Sequence, residues 1–65
     1  MKLYEKIQYC RKTAEMSQEM FAEKLSVSRQ SVSKWETGTA APDLDNLVAI
    51  ARLFGVTTDW LLMED

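Results

Sequence analysis

The chain has no histidine among its 65 residues, one cysteine, one proline and two glycines. Each shortage closes off some chemistry. Without an imidazole, a serine or cysteine nucleophile lacks its usual general base, and a zinc site would have a single thiolate and carboxylates to draw on. No catalytic residue, no metal site and no cofactor is therefore expected, and the chain is not read as an enzyme. Gly38 and Gly55 stand too far apart to build a glycine-rich phosphate loop. Cys10, standing alone, excludes an internal disulfide and fits a reducing compartment. The longest apolar run falls well short of the roughly 20 residues that span a bilayer, so no membrane partner is expected. The opening "MKLYEKIQYC" is interrupted by charges and has no apolar secretory core, which predicts a cytoplasmic protein.

What is present reads as globular: 46% of the residues are hydrophobic and 28% charged, enough apolar content to collapse and enough charge to stay dissolved. At this length residues 1–65 make one domain with a small core. Helical periodicity dominates and strand signals are almost absent. Leu3, Ile7, Cys10 and Ala14 fall at i, i+4, i+7 and i+11, the stripe of an amphipathic helix over about 2–14. That stripe makes Cys10 a small buried hydrophobe rather than a reactive thiol. Ser17, Ser28, Asp43 and Thr57 each stand just before a periodic stretch and predict four more helix starts. Acids at Glu19, Asp45 and Asp59 lie in the first turns, where they complement the positive end of the helix dipole.

The second helix, about 18–25, buries Phe21, Ala22 and Leu25 by this pattern, leaving Met20 as a partly exposed filler. The third runs from after Ser28 to about Glu36, with Gly38 suited to the left-handed conformation that closes a helix. The fourth, about 44–54, carries Leu44, Leu47, Val48, Ala51 and Phe54 at core spacing ahead of Gly55, and the fifth, about 58–63, is short and apolar. Placed on a wheel at about 100° per residue, Arg29, Ser33, Gln30 and Lys34 occupy an arc of about 140°. Ser31, Val32, Trp35 and Glu36 take the other side, so an acid is turned inward and needs a partner. The outward side offers a guanidinium, an amide, a hydroxyl and an ammonium, the groups that read base edges and phosphates in a DNA major groove.

From Leu3 to Leu62 the sequence resembles the Cro/repressor helix-turn-helix family of the XRE type. The resemblance runs through "SQEMFAEKLSVSRQSVSKWETG", the loop to Pro42 and "LDNLVAIARLFGVTTDWLL". It implies an all-α, five-helix, lambda-repressor-like fold, with the helix-turn-helix at helices 2 and 3 and the third helix entering the major groove. It implies base reading by Arg29, Gln30 and Lys34, with Ser33 beside them, and phosphate contact by Gln18. Ser28, Thr37 and Thr39 are further phosphate candidates. Arg29 suits guanine O6 and N7, and Gln30 suits adenine N6 and N7. Family positions also imply that Glu36 pairs with Arg11, tying helix 1 to the end of helix 3. One departure is the corner between helices 2 and 3, where the family often has Gly and this chain has Ser26; positive φ there costs a non-glycine about 1 kcal/mol.

Charge opposes DNA binding overall, since the chain is net −2. Its distribution is uneven: residues 1–37 carry seven basic and five acidic side chains, and residues 38–65 carry one basic and five acidic. A basic face holding Lys24, Arg29 and Lys34 can meet double-stranded DNA while the acidic half faces away, with modest non-specific affinity. One small helix-turn-helix covers few base pairs, so a homodimer on a palindromic operator is expected, weak off DNA, with Trp60 or Leu62 near the two-fold axis. The expected function is a sequence-specific transcriptional regulator, a repressor by preference, with ligand control lying outside so short a chain. The alternative is a protein-interaction module, such as an antitoxin-like protein that covers a partner.

Overall fold

Four side-chain oxygens start four of the five helices. Ser17 Oγ accepts from the Met20 N–H at 3.0 Å, Ser28 Oγ from Ser31 at 3.1 Å, Asp43 Oδ1 from Asn46 at 2.9 Å and Thr57 Oγ1 from Trp60 at 3.0 Å. Each satisfies a backbone donor that the first helical turn leaves over, a contribution of about 1 kcal/mol apiece. The computed structural model of the chain describes residues 1–63. Its helices are α1 (Leu3–Thr13), α2 (Gln18–Leu25), α3 (Arg29–Thr37), α4 (Leu44–Phe54) and α5 (Thr58–Leu62), with no strand among the described residues. α1 starts without a hydroxyl or carboxylate at its cap position; instead the Glu5 carboxylate reaches back to accept from the Lys2 backbone N–H at 2.8 Å.

The helices end on left-handed residues where the sequence expects it and in one place more. Gly38 closes α3 and Gly55 closes α4, while Ser26 stands at φ 57° at the corner between α2 and α3. Glu15, in the turn after α1, is a second non-glycine in this region at φ 58°. Gly38 is favoured by its conformation, and a Cβ there would also stand 3.2 Å from the Tyr4 ring of α1, which would have to shift by a few tenths of an ångström.

Each helix contributes one large side chain to the fully buried centre: Ile7, Phe21, Val32, Ile50 and Leu61 in chain order. Phe21 meets Trp35 edge-on, ring centroids 6.3 Å apart, and tilts against Phe54 at 5.4 Å, so one aromatic of α2 bridges α3 and α4. α2 and α3 pack on one another, α1 lies across α3 and α5, and α4 lies against α2 and α5. The result holds α3 from behind on two sides and leaves its front open.

Two expectations about the stripes are corrected. Ala14 is exposed, because α1 ends at Thr13 and Ala14 already belongs to the turn. Leu44, the first residue of α4, is 74% exposed, and of the rest of the α4 stripe Leu47 and Ala51 are buried while Val48 and Phe54 are half-buried. A helical stripe specifies a direction and says nothing about how far along the axis a partner extends. α5 also ends one residue earlier than expected, at Leu62.

Candidate nucleic-acid interface

The front of α3 follows from what its back buries. Val32, Trp35 and Glu36 are buried, and turning them inward sends Arg29, Gln30 and Lys34 to the exposed side, with Ser33 half-buried at the edge of the same face. Nine residues at 1.5 Å each make a rod about 13 Å long whose width, about 10–12 Å, matches the roughly 12 Å opening of a DNA major groove. The helix is closed at both ends by its own neighbours. At its start, Ser28 caps the backbone and its hydroxyl also lies 3.0 Å from that of Ser31. At its end, Thr37 Oγ1 donates to the Ser33 and Lys34 carbonyls at 3.1 and 3.3 Å, and stands 2.8 Å from the Thr39 hydroxyl. Backbone N–H groups of Thr39 and Ala40 also donate to the Lys34 carbonyl, at 3.0 and 3.3 Å. Thr37 and Thr39 are thus exposed hydroxyls on a braced loop.

Behind this face lies a charged knot. Arg11 Nε donates to Glu36 Oε2 at 2.6 Å and Arg11 Nη2 to Glu36 Oε1 at 2.9 Å, a two-pronged pair, while Arg11 Nη1 donates to the Met16 carbonyl at 2.8 Å. The Glu36 side chain is 2% exposed and that of Arg11 11%, so water supplies little of what holds the pair. Gln18 joins them: its Nε2 donates to Glu36 Oε1 at 3.1 Å. The side chain assigned from sequence to a phosphate is therefore tethered to the carboxylate beneath α3, with its remaining N–H and its carbonyl oxygen uncommitted to that bond. One carboxylate holds α1, the start of α2 and the last turn of α3 together.

The two side chains expected at a dimer contact are placed differently. Leu62 is 57% exposed, and Met63 beside it is 59% exposed. Trp60 is half-buried, packed on the core, with the Lys6 ammonium 5.0 Å from its ring centroid. Lys6 was not singled out by sequence reasoning, yet it is 2% exposed and its Nζ donates to the carbonyls of Trp60, at 2.5 Å, and of Met63. A signal for it existed: α5 has neither a following glycine nor a basic residue in its last turn, so its end needs a donor from elsewhere. Cys10 is buried, and burial pushes its thiol pKa up, against the reactive thiolate. Met20 is exposed at the front of α2. Among the described residues no group of three or more His, Cys, Asp or Glu side chains could hold a metal ion, and no helix is long and apolar enough to cross a membrane.

Capped helices meeting at a left-handed corner, the second of them presenting a polar front from a buried knot, define a helix-turn-helix protein. A family model described as helix-turn-helix matches residues 7–61, and the chain belongs to that family, in its XRE-type branch. Among its relatives, the HTH-type transcriptional activator BcrR of Enterococcus faecalis is 44% identical over 62 residues, covering 95% of this chain and 30% of BcrR. YonR, a prophage-derived uncharacterized HTH-type transcriptional regulator of Bacillus subtilis, is 40% identical over 58 residues, 89% of this chain and 54% of YonR. The chain thus spans about half or less of these two curated relatives. Among solved structures it is similar to the P22 c2 repressor protein in complex with synthetic operator 9T in the presence of Tl+. That likeness has a TM-score of 0.92 at 28% identity, covering 100% of this chain and 98% of that one.

Proposed function

We propose that residues 1–65 form one DNA-binding domain of a sequence-specific transcription regulator, which sets α3 into the major groove of a two-fold symmetric operator. One observation carries the reading: the only polar face of α3 free of the core is Arg29, Gln30, Ser33 and Lys34, on a helix held from behind by the Arg11–Glu36–Gln18 knot. The likeness to a repressor solved with its operator supports the same orientation. Arg29 offers a forked donor for guanine O6 and N7, and Gln30 a donor and acceptor for adenine N6 and N7. Ser33 and Lys34 extend that face. Gln18, with the N-terminal amides of α2, meets a phosphate, and the hydroxyls of Ser28, Thr37 and Thr39 stand around α3 for the flanking backbone, Thr37 turning its proton away from the Ser33 and Lys34 carbonyls to reach it. Since BcrR is named an activator and the P22 protein a repressor, the reading is regulation through operator occupancy. Repression is its simpler mode, because a protein seated on a promoter blocks it without further contacts. Such a protein works in the cytoplasm, where the DNA is.

A single α3 touches few base pairs, so two copies are needed, with recognition helices about 34 Å apart, one DNA turn. The pair is weak off DNA and meets at the α5 end, with Leu62 nearest the axis and Trp60 behind it. Binding-site selection with this chain is expected to enrich one palindrome, and sedimentation to show mostly monomer at micromolar concentration. Inserting roughly five base pairs, half a turn, between the half-sites is expected to abolish cooperative binding. Indifference to that insertion would overturn the two-copy mechanism. A protein partner retained after loss of Arg29 and Gln30, with no enriched site, would support an interaction module instead.

A further inference from the structure

A buried acid is an unexpected neighbour for a site that takes phosphates. Glu36 and Lys6 are the buried charged side chains among the described residues, and Glu36 stands in the last turn of α3. Its carboxylate accepts three bonds: Oε2 from Arg11 Nε at 2.6 Å, and Oε1 from Arg11 Nη2 at 2.9 Å and from Gln18 Nε2 at 3.1 Å. The two prongs of Arg11 neutralise the acid, so a nearby phosphate meets a paired charge and not a bare one. The ion pair is complete without Gln18, and the third bond acts on Gln18 itself. A carboxylate only accepts, so the amide can face it only with its nitrogen. Gln18, the first residue of α2, is half-buried, and its amide would otherwise turn broadly about its last torsion.

We propose that Glu36 is a positioning residue for the phosphate contact of Gln18: by accepting one N–H of the Gln18 amide, it holds the other N–H ready for the DNA backbone. The proposal rests on the reading of Gln18 as a phosphate contact. Glu36 touches no DNA; it acts through the amide. With the nitrogen held, the carbonyl oxygen of Gln18 does not swing into its place, where it would repel a phosphate. The tether also freezes a long side chain before DNA arrives, so the ordering that would weaken the contact is done in advance. An acid thereby helps to bind an anion, which it can do only because Arg11 has neutralised it.

Removing Glu36 alone would strand the Arg11 guanidinium, so the test replaces both, Arg11→Met together with Glu36→Met; exchanging a buried ion pair for apolar side chains of similar size is often neutral for stability. Affinity for a DNA duplex of unrelated sequence is measured at one low salt concentration, where phosphate contacts dominate. Four full-length proteins are compared: the parent, Gln18→Ala, the double variant, and the double variant carrying Gln18→Ala. In the parent, Gln18→Ala is expected to cost roughly fivefold, the worth of one net hydrogen bond. In the double variant the same change is expected to cost almost nothing. Because each loss is taken within its own background, a change in baseline affinity from the lost Arg11 does not enter. The same loss in both backgrounds is what a merely structural Glu36 gives, and it overturns the proposal while leaving Gln18 on its phosphate. No loss in the parent overturns the phosphate reading and the proposal with it. Should the double variant not fold, the DNA-bound parent decides by NMR couplings across hydrogen bonds from Gln18 Nε2. Couplings to both the Glu36 carboxylate and a DNA phosphorus are expected; absence of the first overturns the role of Glu36 alone, and absence of the second overturns the phosphate reading as well.

Discussion

α3 and α5 both turn one side to the core and the other to solvent, but they are held in opposite ways. α3 is closed by its immediate neighbours, Ser28 before it and Gly38 after it, and is pinned through Glu36, one of its own residues. α5 is capped at its start by Thr57 but finished by a lysine 54 positions away. What each leaves exposed differs to match: hydrogen-bonding groups on α3, aliphatic ones at the end of α5. The comparison teaches that the helix proposed to read DNA is a stiff, locally specified element. The element proposed to meet a second copy is finished by a lysine of α1.

The largest expected effect comes from attacking the pin of α3. Arg11→Met leaves the Glu36 carboxylate buried without its partner, a loss on the order of 3 kcal/mol. The expected result is a lower urea midpoint with an unchanged slope; an unchanged midpoint would mean that α3 is held by apolar packing alone. Changes on the front of α3 should be of similar or smaller size and of a different kind. Arg29→Ala and Gln30→Ala are each expected to cost about 1–3 kcal/mol on the preferred DNA site and to leave the melting temperature alone. A fall in melting temperature for either would break the separation between front and back.

Gln18 stands between the two. Gln18→Ala is expected to weaken binding to all DNA sequences alike, by about 1 kcal/mol for the one contact removed, and to lower stability slightly through the lost bond to Glu36. Loss of specificity at a single base step, measured by competition between related sites, would move Gln18 into the base-reading set. Smallest is the corner. Ser26→Gly relieves a non-glycine at φ 57° and is expected to raise stability by up to about 1 kcal/mol, partly offset by the freer unfolded chain. A lower melting temperature would show that the Ser26 side chain holds the corner.

Local features were legible in the sequence and distant ones were not. The hydroxyl and carboxylate caps at Ser17, Ser28, Asp43 and Thr57 could be read because each bonds an amide three residues on. The two sides of α3 could be read because 3.6-residue periodicity alone decides them. The wheel turned Glu36 inward and so demanded a partner, but periodicity does not say which cation answers; Arg11 entered through the family resemblance. Gln18 was legible as an amide at the start of α2, while its bond to Glu36 depends on how α2 approaches α3. That the end of α5 lacks a cation of its own could be read, but not that Lys6 answers it, because its burial is decided by where the end of α5 comes to rest. Leu44 shows the same limit from the other side: the correct face of a helix, beyond the reach of any partner.

Binding-site selection run in parallel on the parent, Arg29→Ala and Gln30→Ala tests the central claim, that the front of α3 reads bases, most directly. The account predicts one palindrome for the parent, and for each variant the same palindrome with one base step per half-site relaxed. The same motif at the same sharpness from all three proteins would contradict it.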